Sequence, residues 1–420
     1  MHEAPGGGCA LKYRVVVTGI GVITPLGIGK DAFWRAIEAG RCGVNTITRF
    51  EVEGYPSRIA AQVDDFDPAD FMPAKRQRWT DRFAQFSVAA ARMAIDDAGF
   101  HANGYRDETG VYIGSALGGL AYADEQHDVF RNKGLAAVRP LLAISAFGGS
   151  SSCNIAMEFD LRGPNIANAN ACASGAVAIG QAFRAIASGE VRAALAGGVE
   201  APLAPLVFGA FTVIRAMSTN NADPAHACRP FDLHRDGFVM AEGAGLLLLE
   251  RFEDALKRDA SIYGEIAGFG LTNDAYHMTA PRPDGVPNAR SMIAALREAG
   301  VAPEEIDYVN AHGSSTPLGD KYEIVALRHA LGAAADTVPV SATKGQHGHA
   351  LGASGAWEAA ISLLAMQHRR IPKTSNLATD DPDCNVHLTK AAVDRAPRVV
   401  LSNSAGFGGI NAALVMRSLQ

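Results

Sequence analysis

Residues 168–201 read NANACASGAVAIGQAFRAIASGEVRAALAGGVEA. A helical pattern begins near Cys172, and Val191–Ala201 follows as a short apolar strand with a small-residue end. A helix feeding directly into such a strand is the unit from which α/β layers are assembled.

The same alternation extends in both directions. RVVVTGIG (14–21), TGVYIGSALGG (109–119) and GLLLLE (245–250) read as strands, with helical spacing in KDAFWRAIEA (30–39) and DRFAQFSVAAARMAIDDA (81–98). Asp81 suits the N-cap of the second helix and Gly99 its stop. FEDALKRDA (252–260) reads as a further helix. From about residue 261 the order recurs. IYGEIAGFGLTND (262–274) is strand-like, NARSMIAALREAG (288–300) a helix, and IDYVNAHGSSTP (306–317) and TVPVSATKG (337–345) are strands ending in polar loops. GASGAWEAAISLLAMQHRR (352–370) is a helix, and RVVLSNSAGFGGINAALVMR (398–417) makes two strands around a glycine turn. At 420 residues the chain exceeds the roughly 250–300 at which one core stops growing. Two lobes are therefore expected. No low-complexity linker separates them, so they should share one core.

Composition removes several function classes. With 48% hydrophobic residues, 20% charged residues and net charge −6, the chain suits a compact globular protein, and nothing in it points to nucleic acid or an anionic membrane. The six cysteines are scattered without a C-x-x-C pair, which argues against disulfides and zinc and fits a reducing cytoplasm. MHEAPGGGCALK at the start lacks the apolar segment of a signal peptide and reads as a tail. No apolar run reaches the roughly 18 residues of a membrane span. VVVTGIGVIT has Thr24 where a dinucleotide-binding turn needs its third glycine, and no phosphate-loop pattern occurs.

A cysteine taken alone is more often a buried filler than a nucleophile. Cys172, however, lies among small residues at a helix start, where the partial positive charge favours a thiolate and free N–H groups can hold an oxyanion. His312, Lys344 and His349 occupy loops at other strand ends, where α/β sheets bind ligands. Cysteine with two histidines in converging loops is what nucleophilic acyl chemistry requires. His347 and His349 as a metal pair is the weaker alternative, since no suitably spaced carboxylate or cysteine accompanies them.

Five stretches together carry a family resemblance: NACASG around Cys172, PFDLHRDGFVMAEGAG (230–245), NAHGSSTPLGDKYE (310–323), SATKGQHGHALGASGA (341–356) and SNSAGFGGINAAL (402–414). Over residues 13 to 418 the chain resembles the type II β-ketoacyl-[acyl carrier protein] synthases of the thiolase-like superfamily. The resemblance implies a five-layered αβαβα sandwich of two duplicated halves, 13–260 and 261–420. It implies an acyltransferase performing decarboxylative condensation of a Cys172-bound acyl chain with malonyl-acyl carrier protein, as in fatty acid chain elongation. The alternative is a specialised polyene or polyketide ketosynthase paired with a paralogous chain-length factor.

No cofactor and no metal are expected. The partners implied are acyl and malonyl carrier protein and a second copy of the chain or a paralogue, with no nucleic acid or membrane, in the cytoplasm. By the same resemblance His312 and His349 polarise the malonyl thioester, Lys344 organises the site and Glu323 is its partner. The N–H groups of Cys172 and Phe407 form the oxyanion hole, with Phe407 also a gate. Ser314 and Thr316 face the pantetheine arm, Leu117, Phe211 and Ala405 shape the acyl pocket, and Lys75, Arg78 and Arg215 dock the carrier. Ala405, Ser314, Ala241 and Trp79 depart from the family's usual residues, which bears on substrate and carrier rather than on chemistry. A thiolase would need a second cysteine near the C-terminus, a chalcone-synthase-like site an asparagine. A non-catalytic chain-length factor would lack Cys172. The lysine motif argues against a cysteine hydrolase.

Overall fold

The computed structural model describes residues 12–102 and 104–419. The tail reading of the first twelve residues, and Cys9 with it, falls outside them apart from Lys12. The strands that organise the fold are β1 (Val15–Thr24), β2 (Thr109–Gly114), β3 (Asn165–Asn168), β4 (Ala193–Glu200) and β5 (Gly243–Arg251), then β6 (Gly264–Asn273), β7 (Tyr308–Asn310), β8 (Val340–Ser341), β9 (Val399–Gly406) and β10 (Ile410–Arg417). Their principal helices are α1 (Arg82–Ala98), α2 (Ser150–Phe159), α3 (Ser174–Ser188), α4 (Val286–Ala299), α5 (Pro317–Leu331) and α6 (Ser354–His368).

Strand order is β8-β7-β9-β10-β6-β1-β5-β4-β2-β3. The two five-strand groups repeat each other. In the first, β2 pairs parallel with β3 and β4, and β5 runs antiparallel between β4 and β1. In the second, β7 pairs parallel with β8 and β9, and β10 runs antiparallel between β9 and β6. The groups join edge to edge where Val15–Val17 meets Gly264–Ile266. The duplication expected from sequence is thus present in the topology.

Helices complete five layers. α1 and α2 cover the outer face of one group, and α4 and α5 that of the other, while α3 and α6 pack together between the groups. This explains why α6 shows no amphipathic stripe, for Ser354 to Met366 are all buried. The central helices cross closely because both begin Ala-Ser-Gly-Ala. A Cβ on Gly175 would come within 2.8 Å of the Gly352 oxygen, and one on Gly355 within 2.9 Å of the Ala176 nitrogen.

Local signals hold where they are strong. Asp81 caps α1, accepting from the Ala84 N–H at 3.2 Å, and Gly99 closes it in the left-handed conformation. Two boundaries move. The helix expected over 252–260 spans only Phe252–Lys257, and α4 starts two residues before its expected first turn, with Pro287 suited to its missing N–H.

Candidate active site

The nucleophile loop leaves β3 and tightens into a 3₁₀ turn, Ala171–Ala173, before α3. Ala171 takes φ 48°, a left-handed strain held by the Ser174 hydroxyl donating to its carbonyl at 2.7 Å. Cys172 at the turn's centre is 7% exposed. The backbone approaches it closely at Gly406, where a Cβ would lie 3.1 Å from the Cys172 nitrogen. The neighbouring Phe407 N–H lies close enough to the Cys172 sulfur to favour its thiolate. Burial nevertheless pushes the thiol up to about 12, with the Lys344 charge and the Phe407 N–H acting the other way. The helix-start effect expected from the sequence is therefore outweighed by burial. The resting cysteine is a thiol and must lose its proton as it reacts.

His312 follows β7 and His349 follows the short helix Lys344–His347. Their rings meet edge to face with centroids 5.2 Å apart. Burial and the adjacent Lys344 charge hold both well below the ordinary imidazole range, so both are neutral. The Nδ1 of His349 shares a 2.8 Å hydrogen bond with Ser354 Oγ, and its backbone N–H donates to Val239 O at 2.7 Å. His312 Nδ1 is buried without a partner among the described residues. The His312 ring is fixed instead through its backbone. Its N–H donates to Glu323 at 2.7 Å, and its carbonyl accepts from Lys344 Nζ at 2.5 Å.

Lys344 is fully buried and forms an ion pair with Glu358. Sequence reading paired it with Glu323. Glu323 does lie behind the site, but it accepts from the N–H groups of His312 and Gly313 and from Asn403 Nδ2. The partner comes from α6, fourteen residues along the chain, where a glutamate inside an otherwise apolar helix was the available signal. Burial raises Glu358 to about 7 while Lys344 pulls it down. His347 is structural: Thr343 Oγ1 and the Gly348 carbonyl take its two ring nitrogens at 2.9 and 2.7 Å, and it packs edge-on to Trp357.

One pocket is lined by Cys172, His312, His349, Ser314, Thr316, Glu323, Ala405 and Phe407 together. Ser314 and Thr316 join hydroxyls at 2.8 Å, and Thr316 also caps α5 by accepting from Gly319 N–H. Phe211 stacks on Phe407 at 6.5 Å, and Leu117 and Phe211 pack on the apolar cluster that contains Cys172, Phe238 and Leu351. Unread from sequence were the pocket's other wall, Asp274 to Pro281, and Phe238, edge-on to His349 at 5.3 Å. Lys75, Arg78 and Arg215 are exposed and take no part in this lining, and Trp79, next to Arg78 in sequence, is 58% exposed. Among the described residues no group of three or more His, Cys, Asp or Glu is arranged to hold a metal ion, and no helix is long and apolar enough to cross a membrane.

The domain pattern described as Beta-ketoacyl synthase, N-terminal domain, matches residues 12–255, and that described as Beta-ketoacyl synthase, C-terminal domain, matches 263–378. The chain belongs to the β-ketoacyl synthase family. The synthase is 42% identical to the 3-oxoacyl-[acyl-carrier-protein] synthase 2 of Synechocystis sp. over 97% of this chain and 99% of that protein. It is 43% identical to the enzyme of the same name from Coxiella burnetii, over 96% and 98%. Among solved structures, the ishigamide ketosynthase/chain length factor superposes with TM-score 0.91 at 36% identity, covering 97% of this chain and all of that one. A β-ketoacyl synthase from Burkholderia phymatum gives 0.89 at 35%, with the same coverage. These likenesses establish the thiolase-like ketosynthase fold, and the synthase is a condensing enzyme of the acyltransferase class.

Proposed function

We propose that the synthase elongates an acyl chain held on Cys172 by two carbons taken from malonyl-acyl carrier protein. The observation that carries this reading is the convergence of Cys172, two neutral histidines and the Phe407 turn on one pocket. The Cys172 sulfur attacks the acyl thioester, the carrier's sulfur leaves, and the thiol proton passes to it. Neutral His312 or His349 is suited to relay that proton, while the N–H groups of Cys172 and Phe407 hold the carbonyl oxygen as it becomes anionic. Malonyl carrier then enters. Its carboxylate carbon–carbon bond breaks, carbon dioxide leaves, and the electron pair becomes an enolate whose oxygen accepts from His312 and His349. The enolate carbon attacks the Cys172 thioester, the carbon–sulfur bond breaks, and the 3-ketoacyl product remains on the carrier. With the Ser354 hydroxyl donating to His349 Nδ1, Nε2 carries the donated hydrogen.

Burial keeps both rings neutral, with the Lys344 positive charge adding to it, and Glu323 sets the backbone that carries His312. Ser314 and Thr316 face the pantetheine arm, Leu117, Phe211 and Ala405 bound the acyl chain, and Phe407 gates it. Lys75, Arg78 and Arg215 are the docking charges for an acidic carrier. The halves divide as 13–260 and 261–420, the first supplying the nucleophile and the second the His/His/Lys set. A homodimer would use the end strand β3, where Asn165–Ala167 are exposed and, among the described residues, pair only with β2.

The test is condensation of a series of acyl carrier thioesters with malonyl carrier, with the product read as 3-ketoacyl carrier by mass. Formation by the chain alone supports elongation. A second reading, a specialised ketosynthase acting with a chain-length factor, is favoured by Ala405 beside the gate and by the ishigamide likeness. It would show as condensation only with a paralogous partner present.

A further inference from the structure

The repeated order of elements sets the nucleophile turn against a second turn of the same form. Leu351–Ala353 is a 3₁₀ turn entering α6, as Ala171–Ala173 is entering α3. Leu351 takes φ 42° where Ala171 takes 48°, and the sequences coincide from there, Cys172-Ala-Ser-Gly-Ala against Gly352-Ala-Ser-Gly-Ala. Gly352 is thus the counterpart of the nucleophile. In the first turn an N–H and its neighbours face a ligand pocket. In the second turn the Gly352 N–H already has an acceptor: the Glu200 carboxyl group, at 3.0 Å.

Glu200 ends β4, is fully buried, and has no cation among its hydrogen-bond partners. Four donors surround it instead. One oxygen accepts from Ser115 Oγ at 3.0 Å and Leu117 N–H at 3.1 Å, the other from Ala116 N–H at 2.7 Å and Gly352 N–H at 3.0 Å. The space is closed, for a Cβ on Gly352 would lie 2.8 Å from the carboxylate and 2.7 Å from Ala116 N. Ala116, Leu117 and Leu351 meet Cys172 in one apolar cluster. One carboxylate therefore ties the Ala116–Leu117 wall to the turn that carries Leu351.

We propose that Glu200 is a positioning residue for acyl-chain selection, a buried carboxyl group that occupies the duplicated turn and fixes the two sides of the acyl chamber relative to each other. This rests on the reading of Cys172 as the acyl acceptor. Burial of an ionisable group without a counter-charge is costly, and four directed donors are the arrangement that retains it. Glutamine is nearly isosteric but must turn an NH₂ towards N–H donors on one side, which releases either Leu117 or the Ala116–Gly352 pair.

The experiment compares Glu200→Gln with the unsubstituted enzyme in acyl transfer to Cys172 from short- and long-chain acyl carrier thioesters, and in decarboxylation of malonyl carrier. The expected result is a shift of about tenfold or more in the short-to-long ratio of kcat/KM, with decarboxylation within about threefold of the original because the histidine set is untouched. Ser115→Ala removes one donor and keeps the carboxylate, so it is the milder companion should the glutamine variant not fold. Its ratio should move in the same direction by about threefold. An unchanged ratio in a folded variant, or a proportional fall in every activity, would overturn the proposal. If the unsubstituted enzyme acylates Cys172 with no chain at all, the functional reading fails first, and this inference with it.

Discussion

The ring of His312 meets that of His349 edge to face, 5.2 Å apart and inclined by 81°, yet the two are held by different means. His349 is anchored through its ring by Ser354, whereas His312 is anchored through its backbone by Glu323 and Lys344. The pair thus sets two neutral rings, carried by two separate loops, in the same pocket lining as Cys172.

Substituting either histidine should separate the half-reactions. His312→Ala and His349→Ala should lower decarboxylation of malonyl carrier by about a hundredfold or more, the scale on which a preorganised donor to an enolate acts. Acylation of Cys172 should remain within about tenfold, since the Cys172 and Phe407 N–H groups are intact. Stopped-flow release of carbon dioxide and intact-mass acylation measure the two steps. Equal loss in both would refute the division.

The thiol should titrate late in the ligand-free enzyme. A group raised to about 12 gains thiolate roughly tenfold per pH unit below that value, so alkylation of Cys172 by iodoacetamide should keep rising beyond pH 9 with no plateau at the ordinary cysteine value. Peptide mass mapping of carbamidomethylation against pH reads this directly. A plateau near neutral pH would mean that the helix start and Lys344 overcome burial.

Much of this site is legible in the chain because each part begins at a strand end. Cys172, His312, Lys344 and His349 are marked by glycine and small residues next to short apolar runs, and those local signals survive folding. What could not be read depends on crossings between distant segments. Glu358 reaches Lys344 from inside a helix whose all-round burial leaves no periodic clue, and Glu200 reaches Gly352 over 152 residues. The internal repeat itself is only five positions long and differs at the first, where cysteine faces glycine, so it emerges only once the two turns are aligned in space. The segment from Leu120 to Phe159, with weak helical patterning between β2 and β3, gives no element from sequence and holds three α-helices, Leu120–Lys133, Leu142–Ser145 and Ser150–Phe159.

The buried ion pair gives a stability prediction with an internal control. Lys344→Met leaves the Glu358 carboxylate without its cation and should cost roughly 3–5 kcal/mol. Lys344→Met with Glu358→Gln should recover most of that loss, because both charges are gone. Decarboxylation should remain impaired in both variants, since the charge beside the histidines is absent. Chemical denaturation and the carbon dioxide assay together check this; a double variant no more stable than the single one would contradict it.

Carrier docking should be electrostatic and confined to binding. Reversing charge at Lys75, Arg78 or Arg215 should raise KM for carrier-borne substrates by about three- to tenfold with kcat unchanged, and the difference should shrink as salt rises. Steady-state kinetics at two ionic strengths, with a pantetheine thioester lacking the carrier as the comparison substrate, measure it. An equal effect on that small substrate would assign these residues to something other than docking.

The most direct test of the central claim is the intact mass of the protein after incubation with an acyl carrier thioester. The expected result is a single acyl adduct, mapped by peptide mass to Cys172 and absent from Cys172→Ala. An adduct of the same mass that persists in Cys172→Ala would contradict the assignment of the nucleophile.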